Sequence, residues 1–302
     1  MRLRLLDLDQ SLDAQATLRD AAPWSAVETL PLRDLAPRLR LWARDRDVAL
    51  ARERLADAAN DPAVTLIGSG DFHHLAPLVF DGVGTDFTLL HFDNHPDWVR
   101  FAPRWHCGSW VNRALEHPRV ARVITIGPCS SDLVRPQWKG GNLAALQSGR
   151  LVLFPWQHAP SRVWGRIADG PAHRVHDGHI HWQCLDTMST DAAANAIGAL
   201  IRTQAVWFSI DKDVLAPHEA ATNWDQGRMP LDALLGLVRT LSRGRRVLGA
   251  DVCGDWSAAN HRHVAKWIEA RRDQPQERPD AAAERNALTN RRLFEALHEV
   301  AA

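Results

Sequence analysis

The chain has 302 residues, with 36 basic and 36 acidic side chains, so its formal charge is zero. That balance gives no electrostatic footprint for nucleic acid or a membrane surface, and a small molecule is the expected partner. Hydrophobic residues make up 45% of the chain, enough for a sizeable core, and the four scattered cysteines form no CxxC pair, which argues against a disulfide framework or structural zinc.

Residues 2–8 alternate charged and apolar side chains and predict a first strand, and the early Asp7 and Asp9 argue against a secretory leader. Over residues 39–59, Leu41, Val48, Ala51 and Leu55 recur among charges at helical spacing, predicting an amphipathic helix. Residues 64–67 predict a short buried strand, broken by Gly68-Ser69-Gly70-Asp71, with a helix beginning near His74 and running toward Phe80. Buried strands are predicted over 87–92 and 120–127, on either side of a helix over 109–117. Farther on, a strand is predicted over 151–154, and a His-rich loop over 173–181 leading into a strand over 180–184. A helix over 192–203, a strand over 205–210, a helix over 231–241, a strand over 247–251 and a helix over 258–271 follow. The polar stretch 272–284 is expected to connect to a C-terminal helix over 286–300. No apolar run approaches the roughly 20 residues of a membrane span, so a reducing, cytoplasmic compartment is expected. Strands alternating with helices predict an α/β fold with a mostly parallel sheet covered on both faces, and no break in composition divides residues 1–302 into more than one domain.

The chemistry gathers behind the strand at 87–92. Asp93, His95 and Asp97 follow it at every second residue, so an extended backbone would point all three to one side. That side lies at the strand's carboxyl end, where open α/β sheets bind ligands, and Pro96 favours an extended His95. Alone, the pattern also suits a turn in which Asp93 caps a helix and His95 lies on the surface. Ser209-Ile210-Asp211-Lys212-Asp213 repeats the arrangement after another apolar run, and two carboxylates at such a place are costly without cations. The loop Gly68-Ser69-Gly70-Asp71-Phe72-His73-His74 can bring a histidine to the same edge. In Trp105-His106-Cys107-Gly108-Ser109, His106 is a candidate proton donor on a loop entering a helix. Cys107 has no base paired with it in the sequence and is not expected to be a nucleophile.

A Gly/Asp/His loop, DxHxD, a His-Gly loop and SxDxD, in this order across residues 65–255, resemble the arginase/agmatinase (ureohydrolase) family as separated motifs. The resemblance implies a single three-layer α/β/α domain, arginase-like, with two manganese ions at the carboxyl edge of its parallel sheet. It makes Asp93 and Asp211 the bridging carboxylates. Asp97 and His73, with His74 in reserve, would complete one ion's ligands, and His95 and Asp213 the other's. His106 takes the place of the family's proton-shuttling histidine. Carboxylate-rich ligand sets with few histidines suit manganese, and two ions roughly 4 Å apart can turn a shared water into hydroxide at neutral pH. The implied reaction is hydrolysis of a C–N bond in a guanidino, amidino or amide small molecule. The resemblance also admits a homo-oligomer.

Two departures bear on the substrate. Guanidine-cleaving members carry an acid three residues after the Asp that follows the last strand, whereas Asp251-Val-Cys-Gly254 puts glycine there. Asp255, one step on, is a candidate for that role or a helix cap. The loop over 222–227 is also unusual, so Asn223, Trp224 and Asp225 are candidate pocket residues or a plain turn. Two other readings stay open. One is a zinc-dependent deacetylase-like amidohydrolase, for which Asp97, Asp213 and the loop histidine are superfluous. The other is a non-catalytic metal-binding relative, favoured by Gly254 and opposed by His106.

Overall fold

Strands buried along their whole length need cover on both faces, and the apolar runs of this chain build a sheet of that kind. In the computed structural model, residues 1–13, 15, 27–57, 61–100, 103–258, 261, 263–275 and 280–301 are described. Eight strands form the central sheet: β1 (Arg2–Asp7), β2 (Val27–Pro31), β3 (Ala63–Gly68), β4 (Phe87–Phe92), β5 (Val120–Ile126), β6 (Leu151–Phe154), β7 (Ala205–Asp211) and β8 (Arg246–Cys253). Their order is β2-β1-β3-β8-β7-β4-β5-β6, and every neighbouring pair is parallel. The longer helices are α1 (Asp45–Leu55), α2 (Val111–Glu116), α3 (Thr190–Gly198), α4 (Leu231–Ser242), α5 (Val264–Asp273) and α6 (Ala282–Val300).

Alternate side chains of the strands feed two cores. Leu66, Leu90 and Phe208 join one core with residues of α3, α4 and α6, while Ile67, Leu89 and Trp207 join another with residues of α1 and α2. The result is the expected three-layer α/β/α arrangement. Among the described residues, no helix is long and apolar enough to cross a membrane.

Strand order is what creates a site. The consecutive strands β3 and β4 are held apart by β8 and β7, the last to be added along the chain. In register, Asp211 lies beside Cys253, Cys253 beside Gly68, and Ile210 beside Phe92. Four carboxyl ends from distant parts of the sequence therefore finish at one level.

Several expectations are corrected. The helix predicted over 39–59 is confined to Asp45–Leu55, and its expected end at 58–59 lies outside the described residues. Its front end is lost because Leu41 takes a positive φ of 63° and Trp42–Ala43 pair antiparallel with Trp105–His106. Over 173–184 the expected loop and strand are a hairpin, His173–His176 with His179–Trp182, turned at Asp177 and Gly178. The helix predicted over 258–271 is found at Val264–Asp273, after a Ser257 tied by hydrogen bonds to Asn223, Arg40 and Asp9; residues 259, 260 and 262 lie outside the described residues. The polar connection expected over 272–284 is shorter, since α5 runs to Asp273 and α6 begins at Ala282; residues 276–279 lie outside the described residues. Strand β2, an edge strand of alternating exposure, was not predicted.

A buried ion pair locks the sheet's working edge to the chain's two ends. Lys212, fully buried, donates to Asp255 Oδ1 at 2.6 Å and to Asn290 Oδ1 of α6 at 2.7 Å. The same Asp255 oxygen accepts from Gln15 Nε2 at 2.6 Å and Asn290 Nδ2 at 3.0 Å. Removing one partner of such a pair leaves an uncompensated charge in the interior. Asp255→Ala is expected to cost about 3–5 kcal/mol in denaturant unfolding, and a loss under about 1 kcal/mol would contradict the pairing.

Candidate metal centre

The carboxylates converge by turns rather than by strand alternation. Strand β4 ends at Phe92, and Asp93 Oδ1 accepts the backbone N–H of His95 at 2.6 Å. Asp211 Oδ1 accepts the N–H of Asp213 at 2.9 Å in the same way, within the single 3-10 turn Lys212–Val214. The period-two geometry expected for Asp93, His95 and Asp97 is thus replaced by tight Asx turns. Asp97 even adopts a left-handed φ of 46°, held by Trp110 Nε1 donating to its Oδ2 at 2.7 Å.

Two overlapping groups result. In the first, His73 Nδ1 faces Asp93 Oδ2 at 3.2 Å and the Oδ2 atoms of Asp97 and Asp211 at 3.5 Å each. In the second, His95 Nδ1 lies 2.9 Å from Asp213 Oδ2 and 3.6 Å from Asp93 Oδ1. Asp93 serves both groups with different oxygens. His73 and His74 diverge from the 3-10 turn Gly70–Leu75, and it is His73 that faces the acids, while His74 is buried outside the cluster. The far nitrogens of the facing histidines are fixed: His73 Nε2 is hydrogen-bonded to Ser209 Oγ at 3.0 Å, and His95 Nε2 to Asp225 Oδ1 at 2.9 Å. Ser209 in turn donates to Asp251 at 2.6 Å. Outer partners of this kind orient histidines toward metals.

The donor set fits a cation. His73 Nδ1 is buried with no hydrogen-bond partner, although three carboxylates surround it. Burial, and then the neighbouring charge of Asp93, pushes the Asp97 carboxyl well above its ordinary range. Burial, then Asp211 and Asp93, does the same to Asp213. Asp93 is held well below its usual range in spite of burial, because the His73, His91 and His95 rings lie against its oxygens. Burial alone would lower His73 and His95, yet Asp211 and Asp93 raise the first and Asp213 the second. The cluster retains protons that separated groups would release, which marks it as a place for bound positive charge.

Above the cluster opens a cavity of about 480 Å³, lined by Asp93, His95, Asp97, Asp211 and Asp213 at its floor. His106, Trp224, Asp225 and Glu269 line its walls. A larger trough of about 680 Å³, lined by Arg100, Arg104, Arg113 and Arg150, contains none of these cluster residues. The pairing of Trp105–His106 with Trp42–Ala43 positions His106, whose Nδ1 accepts the Gly108 N–H at 2.9 Å.

Not every candidate reaches the cavity. Asp255, 1% exposed, gives Oδ1 to Lys212, Gln15 and Asn290, keeps Oδ2 buried without a hydrogen-bond partner, and does not line it. Asn223 is likewise structural, accepting from Ser69 Oγ and the Ser257 N–H. Asp225 faces the cavity but spends one oxygen on His95. Three residues near the cluster were not foreseen. His91 Nε2 lies 2.9 Å from Asp93 Oδ2, and its position two residues before Asp93 on a strand was a readable signal. Cys253 Sγ donates to Asp211 Oδ2 at 3.1 Å, and Glu269 comes from a helix with no motif of its own.

The sequence matches no protein-family model. A similar sequence, an uncharacterized protein of Thermotoga maritima, is 27% identical over 192 residues, 64% of this chain and 58% of that protein. The match thus spans less than two-thirds of that relative's length. Solved structures are similar over nearly the whole chain. Proclavaminate amidino hydrolase from Streptomyces clavuligerus superposes with a TM-score of 0.63 at 12% identity, covering 99% of this chain and 91% of that one. Arginase from Bacillus cereus gives 0.61 at 14% identity, covering 97% and 98%. Formimidoylglutamase from Bacillus subtilis gives 0.58 at 14%, covering 98% and 85%.

The titration of the cluster has a direction. Asp97 and Asp213 have folded-state pKa values above their unfolded ones, so their stabilising contribution is present at low pH and lost as pH rises through the raised values. His73 and His95 act in the same sense above their ordinary value of 6.5. Without metal, the melting temperature is expected to fall as pH rises from 6.5 into the alkaline range. Added manganese should raise it most at the upper end, because binding displaces protons. A metal-free melting temperature that climbs over this range would contradict the assignment.

Proposed function

Starting from an arginase/ureohydrolase fold with acids and histidines gathered at its sheet edge, we propose that the protein hydrolyses non-peptide C–N bonds in a guanidino, amidino or amide small molecule, using two manganese ions. His73, Asp93, Asp97 and Asp211 would hold one ion, and His95, Asp213 and the shared Asp93 and Asp211 the other. The observation that carries this reading is His73 Nδ1, buried and unpartnered inside a ring of three carboxylates. An oxygen-rich donor set with two histidines suits manganese above softer metals. When bound, such ions supply Lewis-acid polarisation and a water acidic enough to attack at neutral pH.

The chain's own residues supply the rest. Asp225, bonded to His95 Nε2, fixes that ring so that Nδ1 faces the second group. The Gly108 N–H occupies His106 Nδ1, so the ring's proton resides on Nε2, at the cavity wall. That N–H meets Glu269 Oε1, so a proton gained by the His106–Glu269 pair would be the one available to the departing nitrogen. Names of structural neighbours, an amidino hydrolase and an arginase among them, agree with this chemistry. A single-zinc amidohydrolase draws support from Cys253, a softer donor beside Asp211, but leaves Asp97 and Asp213 without a purpose in the cluster.

Metal analysis of the purified protein is expected to find about two ions per chain. Asp93→Ala should lose metal, fold retained, and release neither urea nor amine from a panel of guanidino and acylamino compounds. His106→Ala should keep its metal and lower kcat by about 10²–10⁴-fold. Failure to take up manganese at all would sink the reading.

A further inference from the structure

The cavity's acids are not equally committed. Asp225 is bonded to His95 and Asn94, Asp132 pairs with Lys139 at 3.5 Å, and Asp273 lies 3.7 Å from Arg272 at the rim. Glu269 of α5 is hydrogen-bonded to neither a metal-facing histidine nor a lysine or arginine, although the buried Lys266 ammonium feels its charge. Its Oε1 meets His106 Nε2, and its Oε2 accepts from Trp42 Nε1 at 3.1 Å. Because His106 Nδ1 accepts the Gly108 N–H, it is Nε2–H that donates to Glu269 Oε1, and the carboxylate is shared between that donor and the Trp42 indole. Each oxygen keeps a free lone pair beside the cavity that Glu269 lines.

No side chain can supply that charge from the end of β8. Gly254 has φ +87°, and a Cβ there would meet Asp211 Oδ1 at 2.3 Å and the Lys212 nitrogen at 2.7 Å. The cavity wall also carries Trp224, whose indole is held by donation to Asp71 at 3.0 Å. A carboxylate together with a fixed indole suits a planar cation, which can be hydrogen-bonded by the one and covered by the other.

We propose that Glu269 is the specificity-determining acid of the cavity, and that with Trp224 it selects a planar cationic head, guanidinium or amidinium, over a neutral amide or urea. The claim rests on the hydrolytic reading only in taking that head as the group to be cleaved. Binding of a cation at Glu269 is separable from turnover.

The test uses manganese-loaded full-length protein and two isosteric probes, n-butylguanidinium and neutral n-butylurea, with binding followed by calorimetry. The wild type is expected to favour the cation by about tenfold or more, the range of a charge-assisted hydrogen bond. Glu269→Gln should weaken cation binding by about the same factor and change urea binding by less than about twofold, with manganese content unchanged. Glu269→Asp should recover part of the preference. Equal or undetectable binding of both probes to the wild type overturns the proposal, as does an unchanged preference in Glu269→Gln. A Glu269-dependent preference without turnover of any amidino compound supports the proposal and overturns the hydrolytic reading instead.

Discussion

The structure depends on how carboxylates are kept out of water at the end of a sheet. Asp93, Asp97, Asp211, Asp213 and Asp251 are each 7% exposed or less, and an isolated ionised carboxylate is costly in such surroundings. Backbone amides meet part of that cost: His95 N–H serves Asp93, Asp213 N–H serves Asp211, and Asn94 N–H serves Asp213 at 2.9 Å. Trp110 and Trp207 add indole donors to Asp97 and Asp251. These donors orient the oxygens but bring no full positive charge. What remains is a cluster whose oxygens are oriented in advance and whose negative charge is met by protons held on Asp97, Asp213, His73 and His95.

The parallel sheet and most of its strands were legible because fully apolar runs such as Phe87–Phe92 leave few alternatives. The identities of the cluster residues could be read too, since Asp and His behind two buried runs are hard to explain otherwise. Their geometry could not. Alternation along a strand was the wrong device, because Asp93 and Asp211 each fold back onto the amide two residues ahead. Residues whose role is set by a distant partner were the least readable. Asp255 looked free in the sequence until Lys212, Gln15 and Asn290 closed around it. Glu269 carried no local signal, since its place is decided by the docking of α5 against Trp42 and His106.

The site has two parts of different origin. Its floor is built from the ends of β3, β4, β7 and β8, whose register is fixed by backbone hydrogen bonds across the sheet. Its wall is built from loops and α5. Burial differs accordingly: Asp211 is 3% exposed, whereas the Glu269 side chain is 23% exposed. Register-bound residues tolerate little displacement, while a helix laid over an edge can shift or change side chains without disturbing strand pairing.

Trp42 gives that division a further meaning. Its backbone pairs with His106 and its indole holds Glu269, so both of these wall residues hang from one residue outside the central sheet. On the proposed reading, a change in the compound accepted would be confined to a ten-residue helix and its mount, with the strand-end acids left in place.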